Sequence, residues 1–464
     1  ISSPMNSSQL LFSFYGFLPE LLLVATFVAG VVCVRRVPGA AWLPAVLAVG
    51  YAIAGALVLL VQLPLTQNSF GAEWLFKGPD QPFGYGMVMI DRMVVVVKLT
   101  LLLPLLGAEF SRWLTGQSAR SASSIFQCSG LLGLWVVVGS DDLLTLFAGL
   151  ELLAISTWRI HQQQGEGTRR SVAISAAAIP GMLIGIGLVA SFTGATNYAT
   201  INNVTTAHNS APIPVLPFVV GGLLLLVCTA VRGGLFPSFS SAATLPDSAP
   251  NSVRLFLLLL APAGVLVATM RLLARAFPSG LPQLNWQPFV GGLTVMVMLL
   301  AVAAMFRGGQ LRLNRLLAHV VTVSIAFMFL PILPLNGDGS PMFMLMFFGM
   351  MTSALAILLV LPTVERNVEG LTIATLRGVG RSGNMGAHVL FAGVLLLAGF
   401  PWGILFHTRP YLLFTFANEG YVWIAAMGAI AQIALWVMAA WVAFVGYRRA
   451  PVSGTAPPPS EAPS

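Results

Sequence analysis

Apolar residues in this chain run in stretches of helix length, separated by short polar or Gly/Pro-rich connectors, from near its start almost to its end. Uninterrupted runs of about 18 to 25 residues are what a helix needs to cross a hydrocarbon core of about 30 Å. The pattern predicts about thirteen such spans, at 9–34, 39–63, 84–108, 122–140, 142–160, 172–193, 214–236, 252–274, 286–306, 317–334, 341–362, 386–406 and 420–447. No strand pattern is visible. The expected fold is therefore an all-α polytopic membrane protein with a single transmembrane domain over residues 1–447. The connectors leave no room for a soluble catalytic domain. Residues 448–464, which include "GTAPPPSEAPS", form a Pro/Ser tail expected to be disordered because it has too little apolar area to bury.

Composition narrows the class further. Hydrophobic residues make up 57% and charged residues only 8%, incompatible with a soluble globular surface, where about a quarter of residues carry charge. The net charge of +8 reports topology rather than a nucleic-acid surface. Arginines follow the odd-numbered spans: Arg35 and Arg36, Arg112 and Arg120, Arg159, Arg169 and Arg170, Arg307, Arg312 and Arg315, Arg366, Arg377 and Arg381, Arg448 and Arg449. Basic residues stay on the cytoplasmic or matrix side, so the N-terminus is expected outside and the C-terminus inside. Lys77, Arg271 and Arg275 are a minority on the other side. Cys33, Cys128 and Cys228 lie far apart with no CxxC, and read as small core residues rather than metal ligands. Ile1 with no Met before it suggests a mature form with a presequence removed, although a truncated chain would look the same. It tilts the expected location toward the mitochondrial inner membrane, with a bacterial plasma membrane as the alternative.

Charges inside the spans are the candidate chemistry, because each costs at least about 2.5–3.5 kcal/mol at a helix centre. Asp91, Arg92 and Lys98 share the third span. Asp91 and Lys98 are two turns apart, so they face the same way and read either as functional groups or as a charge pair that locks helices. Glu151 is the lone acid inside the fifth span, with Asp141 and Asp142 at its outer end. Buried alone it would be protonated, and beside a cation it would ionise; a carboxyl poised between those states suits a proton relay. The plainer alternative is a neutral Glu bonded to a neighbouring helix.

Two long runs are interrupted. "LLLLVCTAVRGGLFPSFSSAATLP" breaks at Gly233, Gly234 and Pro237 beside Arg232, and "LLLAGFPWGILFHTRPYLLF" at Gly399, Pro401, Gly403 and Pro410 beside His407 and Arg409. Proline removes a backbone hydrogen bond and clashes with the preceding turn. Freed backbone groups are tolerated in a membrane only inside protein or along a wet cavity. Breaks in spans 7 and 12, five spans apart, predict inverted repeats built from spans 4–8 and 9–13, since an odd offset inverts the second unit. The expected divisions are three N-terminal helices over 9–114, a first repeat over 122–275 and a second over 286–447.

Several stretches resemble the antiporter-like subunits of respiratory complex I, NADH:ubiquinone oxidoreductase, and among them subunit 2, the bacterial N subunit. "FLPELLL" around Glu20 is similar to the Pro-Glu opening of the family's first helix, and "MIDRM" around Asp91 to its third. "DDLLTLFAGLELLAIS" resembles the fifth-helix motif whose glutamate lies on a proton path, a role that the resemblance gives to Glu151. "EGTRRSVAISAAAIPG", with Glu166 and Arg170, resembles the start of the sixth. "AVRGGLFPSFSSAATLPDSAP" resembles the broken seventh helix, with Arg232 at its central lysine and Pro237 at the break. "QLRLNRLLAHVVTVSIA" resembles the lead into the tenth, and "LAGFPWGILFHTR" the broken twelfth with Arg409 at its lysine. The likeness runs from Pro19 to Val445.

The departures concern protons. Arg232, Pro262 and Arg409 stand where the family's seventh, eighth and twelfth helices carry lysines, and Phe239 stands about where it has a histidine. The chain has only two lysines, Lys77 and Lys98. A buried lysine exchanges a proton readily, whereas arginine stays protonated. His319 and His407 are candidate substitutes because imidazole is the side chain whose ordinary range lies nearest neutral pH, although a histidine on an apolar helix is more often a packing residue. The proton-path candidates are thus Glu151, Arg232, His407, Arg409, His319, Asp91 and Lys98, with Arg232 the first candidate partner for Glu151. The resemblance implies a proton-translocating subunit of the membrane arm, coupled to quinone reduction in other subunits. Two alternatives stand beside it: a structural homologue with a decayed relay, and a multisubunit cation/proton antiporter subunit. No nucleotide, flavin or metal motif occurs, so neither a cofactor nor catalytic chemistry of its own is expected. The expected partners are the other membrane-arm subunits, antiporter-like and small, and lipid, with no nucleic acid.

Overall fold

The computed structural model describes residues 15–37, 42–66, 87–114, 122–163, 168–207, 215–234, 245, 249–277, 287–306, 312–332, 339–365, 372–381, 385–401 and 403–448. Helix α1 is Leu18–Arg36 and α2 is Leu43–Leu57, continued through Val58–Gln62 and Leu63–Leu65; α3 is Arg92–Leu114, α4 Ala122–Gly139 and α5 Leu143–Gln163. Then come α6 at Thr168–Thr193, α7 at Tyr198–Ala207, α8 at Val215–Arg232 and α9 at Asn251–Ala276. The chain continues with α10 at Gln287–Phe306, α11 at Leu313–Phe329, α12 at Gly339–Glu365, α13 at Met385–Leu397, α14 at Ile404–Asn418 and α15 at Val422–Tyr447. Among the described residues nine helices are long and apolar enough to cross a membrane, and four more are apolar but shorter. The chain is an all-helical, polytopic membrane protein.

These helices overlap the spans read from hydropathy, residues 9–14 of the first span and 235–236 of the seventh lying outside the described residues, and three differences stand out. The third begins at Arg92 rather than 84, because the Asp91 carboxylate accepts the backbone N–H of Val94 at 2.8 Å and starts the helix there. The twelfth is broken where expected, α13 ending at Leu397 and Gly399 turning the chain at φ +74°, but its second half, α14, runs on to Asn418 rather than 406. Helix α7 was not expected, since its ten residues are too short and polar for a span. Its start is set by Asn197, whose side-chain oxygen accepts the N–H groups of Ala199 and Thr200 at 3.0 and 3.3 Å. Pro237 and most of the Pro/Ser tail lie outside the described residues.

Two helices widen into single π turns, at Val58–Gln62 and Phe256–Leu260. Each ends two residues before a proline, Pro64 or Pro262. A proline ring would clash with the carbonyl four residues back, and the wider turn takes up that conflict without ending the helix.

Packing repeats along the chain. Helix α4 lies on α5, α6 on α8, and α4 also on α9; five spans later α10 lies on α11, α12 on α13 and α14, and α10 also on α15. The first pair meets almost backbone to backbone. A Cβ on Gly149 would fall 3.0 Å from the backbone nitrogen of Val137 and 3.1 Å from the Gly133 carbonyl, and 2.6 Å from a Val137 methyl. Small residues are what allow membrane helices to approach this closely. Gly149→Leu is therefore expected to force α4 and α5 apart at a cost of about 1–3 kcal/mol, and to displace Glu151 half a turn along. A melting temperature for the purified assembly equal to that of the parent would contradict it.

Candidate functional site

Glu151 sits in the middle of α5, and Arg232 closes the last turn of α8, where Gly233 and Gly234 follow at the helix end. A Cβ on Gly233 would run into Val265 of α9, so glycine lets this helix end press against its neighbour. The Arg232 Nη2 pairs with Glu151 Oε2. Its Nη1 donates to the Ser175 hydroxyl at 2.9 Å and to the Ser175 carbonyl at 3.2 Å, both on α6. Three helices thus converge on one ion pair. The Arg232 side chain is 5% exposed and that of Glu151 24%. The second carboxylate oxygen, Glu151 Oε1, is buried and has no hydrogen-bond partner among the described residues. The pair thus sets a guanidinium against one carboxylate oxygen and leaves the other without a partner among the described residues.

Arg409, on α14, is fully buried at a different place. Its Nη1 donates to the Ala398 carbonyl at 3.2 Å and to Gln432 Oε1 at 3.1 Å; its Nη2 donates to the Ser324 hydroxyl at 2.8 Å and to the Leu397 carbonyl at 3.1 Å. The guanidinium stacks 4.9 Å over the Phe327 ring. These hydrogen-bond partners are neutral and lie on α11, α15 and the end of α13. The break leaves the last carbonyls of α13 without helical partners. Side chains take them up: Gln432 Nε2 also reaches the Ala398 carbonyl at 2.7 Å, and Trp436 Nε1 the Gly399 carbonyl at 2.7 Å. The negative end of α13 supplies the counter-charge for Arg409.

The histidines separate. His319 is buried in α11, whereas His407 points out of the bundle from α14, on the face away from Arg409. Pro262 is buried in α9, where Leu101 and Leu134 crowd the neighbouring Gly264. Glu166 lies outside the described residues.

Asp91 and Lys98 do not pair with each other, contrary to one expectation. Lys98 pairs with Glu20, and Gln62 spans both: its Nε2 donates to Glu20 Oε2 at 3.1 Å, and its Oε1 accepts from Lys98 Nζ at 3.1 Å. The ammonium also lies 5.5 Å from the Trp135 ring centre. This closed network ties α1, α2 and α3 together. Asp91 pairs instead with Arg271 of α9 at 2.8 Å. Further ion pairs join Asp141 to Arg275 at 3.1 Å, Arg254 to Glu365, and Arg112 to Glu109 at 3.0 Å. Sequence reading took Arg271 and Arg275 only as topology markers. The signal available was that the two lie one helical turn apart at the end of a long apolar stretch, where buried charges need partners.

Among the described residues no group of three or more His, Cys, Asp or Glu side chains is placed to hold a metal ion. The three cysteines are free thiols, two of them buried.

No family model matches the chain. Curated relatives are subunits N of NADH-quinone oxidoreductase. That of Azorhizobium caulinodans is 26% identical over 408 residues, covering 85% of this chain and 80% of the relative. That of Hydrogenovibrio crunogenus is 23% identical over 392 residues, with 81% and 78% covered. For Alkalilimnicola ehrlichii the match is 25% over 315 residues and spans 62% of the relative's length. Among solved structures, respiratory complex I from Thermus thermophilus with bound aureothin contains a chain with TM-score 0.70 and 18% identity, covering 93% of this chain and 90% of that one. The Mrp complex from Dietzia sp. gives TM-score 0.76 at 16% identity, covering 94% and 81%. The archaeal membrane-bound sulfane sulfur reductase gives 0.76 at 16%, covering 95% and 90%. At these identities the structures establish a shared fold, and the relatives bear out the resemblance to subunit N.

Proposed function

We propose that this chain is the N-type, antiporter-like subunit of a complex I-like respiratory enzyme, carrying protons across an energy-transducing membrane while partner subunits pass electrons from NADH to quinone. The observation that carries the reading is the buried Glu151–Arg232 pair, held by α5, α6 and α8 with one carboxylate oxygen open. The guanidinium keeps its proton, so any change of charge at the pair falls on Glu151. The repeated packing, α4 on α5 and α9 against α10 on α11 and α15, supports two related units over 122–275 and 286–447. The alternating arginines support an N-terminus outside and a C-terminus inside. Relatives from bacteria favour a bacterial plasma membrane over the mitochondrial inner membrane. They also favour a complex I-like assembly over an Mrp-type antiporter, whose fold is equally similar.

A second reading, a scaffold that keeps the subunit's place without its proton path, draws on two observations. Among the described residues Arg409 is bound by neutral groups alone, and the middle of α9 around Pro262 is packed with apolar side chains. Glu151→Gln in the intact enzyme, reconstituted in liposomes, decides between the readings. A conducting subunit loses proton transfer through this chain by about 100-fold or more, and protons pumped per electron fall while the complex still assembles. Unchanged pumping at unchanged turnover would leave only the scaffold.

A further inference from the structure

Thr229 lies in α8, one turn before Arg232, and has no exposed surface. Its hydroxyl is buried and has no hydrogen-bond partner among the described residues. Every other buried threonine among those residues donates its hydroxyl to a backbone carbonyl three or four residues earlier, as Thr269 does to Val265 at 2.8 Å. That bond is the ordinary habit of threonine in a helix, and it is one rotamer away. Thr229 forgoes it. We propose that Thr229 is a positioning residue of the proton path: its hydroxyl, together with the open oxygen Glu151 Oε1, binds the water that brings the proton to the carboxylate.

Helix register brings the groups to one place. Residues three apart share a face, and helical side chains lean toward the N-terminus. Arg232 therefore reaches back over the turn of Thr229 to meet Glu151, where α8 packs on α5. At 3.6 residues per turn, Thr229 projects between Arg232, which is bound to α5 and α6, and Gly233, which presses on Val265 of α9. It thus faces the protein interior.

Two more atoms of the pair are buried and without hydrogen-bond partners among the described residues, Glu151 Oε1 and Arg232 Nε. Polar groups buried this deeply are ordinarily bonded to protein or to ordered water. Glu151 Oε1 accepts, Arg232 Nε donates, and a hydroxyl does either, so the three supply the two to four partners that a held water needs. The step is a plain transfer: hydronium at that position gives its proton to Glu151, leaving water and a neutral acid, and release reverses it. Thr229 orients the water and is itself unchanged.

The inference rests on the proton-carrying reading above. Its test is the intact enzyme in liposomes, driven by NADH and a short-chain quinone, comparing Thr229→Val, Thr229→Ser and Glu151→Gln for protons per electron and melting temperature. Valine keeps the shape and removes only the hydroxyl, whereas serine keeps the hydroxyl. Thr229→Val is expected to slow proton transfer through this chain about tenfold, the worth of one hydrogen bond, to lower the proton ratio and to melt no higher than the parent. Thr229→Ser is expected to restore the ratio. A parental ratio in Thr229→Val, with Glu151→Gln depressed, would overturn the role of Thr229 alone; parental ratios in both would overturn the function as well. A higher melting temperature in Thr229→Val would overturn the held water, because deleting an unbonded buried hydroxyl stabilises a protein. A ratio lowered equally in Thr229→Ser would trace the loss to packing and overturn the role. If Thr229→Val fails to assemble, the proton ratio of Thr229→Ala is read in the same way.

Discussion

Arg271→Leu is expected to cut the yield of assembled enzyme and to lower the stability of this chain by about 3–5 kcal/mol, the cost of leaving one member of a buried ion pair behind. The side chains of Asp91 and Arg271 are each 1% exposed, and Nη1 meets the carboxylate at 2.8 Å. Without the guanidinium, Asp91 is left as a buried carboxylate whose ion-pair partner is gone. The position magnifies the effect, because α9 is buried from Ser252 to Leu273 and Arg271 ties its C-terminal part to the start of α3. Two comparisons separate charge from packing. Arg271→Lys keeps the charge and should lose less. Asp91→Asn with Arg271→Leu should recover much of the single variant's loss, since a buried pair replaced as a unit costs far less than one broken. Arg271→Leu melting at the parental temperature would mean that the pair contributes nothing.

The fold was legible because hydropathy in a membrane protein reports length and burial together. The spans from 9–34 to 420–447 needed only the rule that backbone polar groups in lipid must be satisfied within a helix. The breaks at Gly399 and Pro401 were visible for the same reason. What hydropathy does not encode is which buried charge meets which. Lys98 and Asp91 share a face of α3, and that spacing made a pair between them plausible, but tertiary packing brought Glu20 to one and Arg271 to the other. Glu20 had already stood out in the motif "FLPELLL" without being connected to a cation. The Glu151–Arg232 contact was readable because Glu151 was the lone acid inside its span and Arg232 the lone charge of its own, and each resembled a position in a motif of the same family. The π turns before Pro64 and Pro262 were also written in the sequence. Recognising them required treating proline as a residue that a helix absorbs by widening, not solely as one that stops it.

Arg409 carries the second large effect, with a different cause. Arg409→Leu is expected to cost about 2–6 kcal/mol, because removing the guanidinium orphans at least two buried acceptors at about 1–3 kcal/mol each. The Leu397 carbonyl keeps only a 3.4 Å contact from Ser324, and Gln432 Oε1 loses its donor, while the Ala398 carbonyl keeps Gln432 Nε2. The planar fork reaches α11, α15 and the end of α13 at once, which a point-like ammonium on a shorter reach does not. Arg409→Lys should therefore also destabilise, by less, and leave proton pumping per electron unchanged, because in this geometry the cation is a cap for a broken helix. A rise in the ratio in Arg409→Lys would say the opposite: that the broken span is a live path lacking only a group able to release its proton. Since α13 ends against that guanidinium and no carboxylate among the described residues pairs with it, melting temperature and proton ratio measured on the one variant separate a clasp from a carrier.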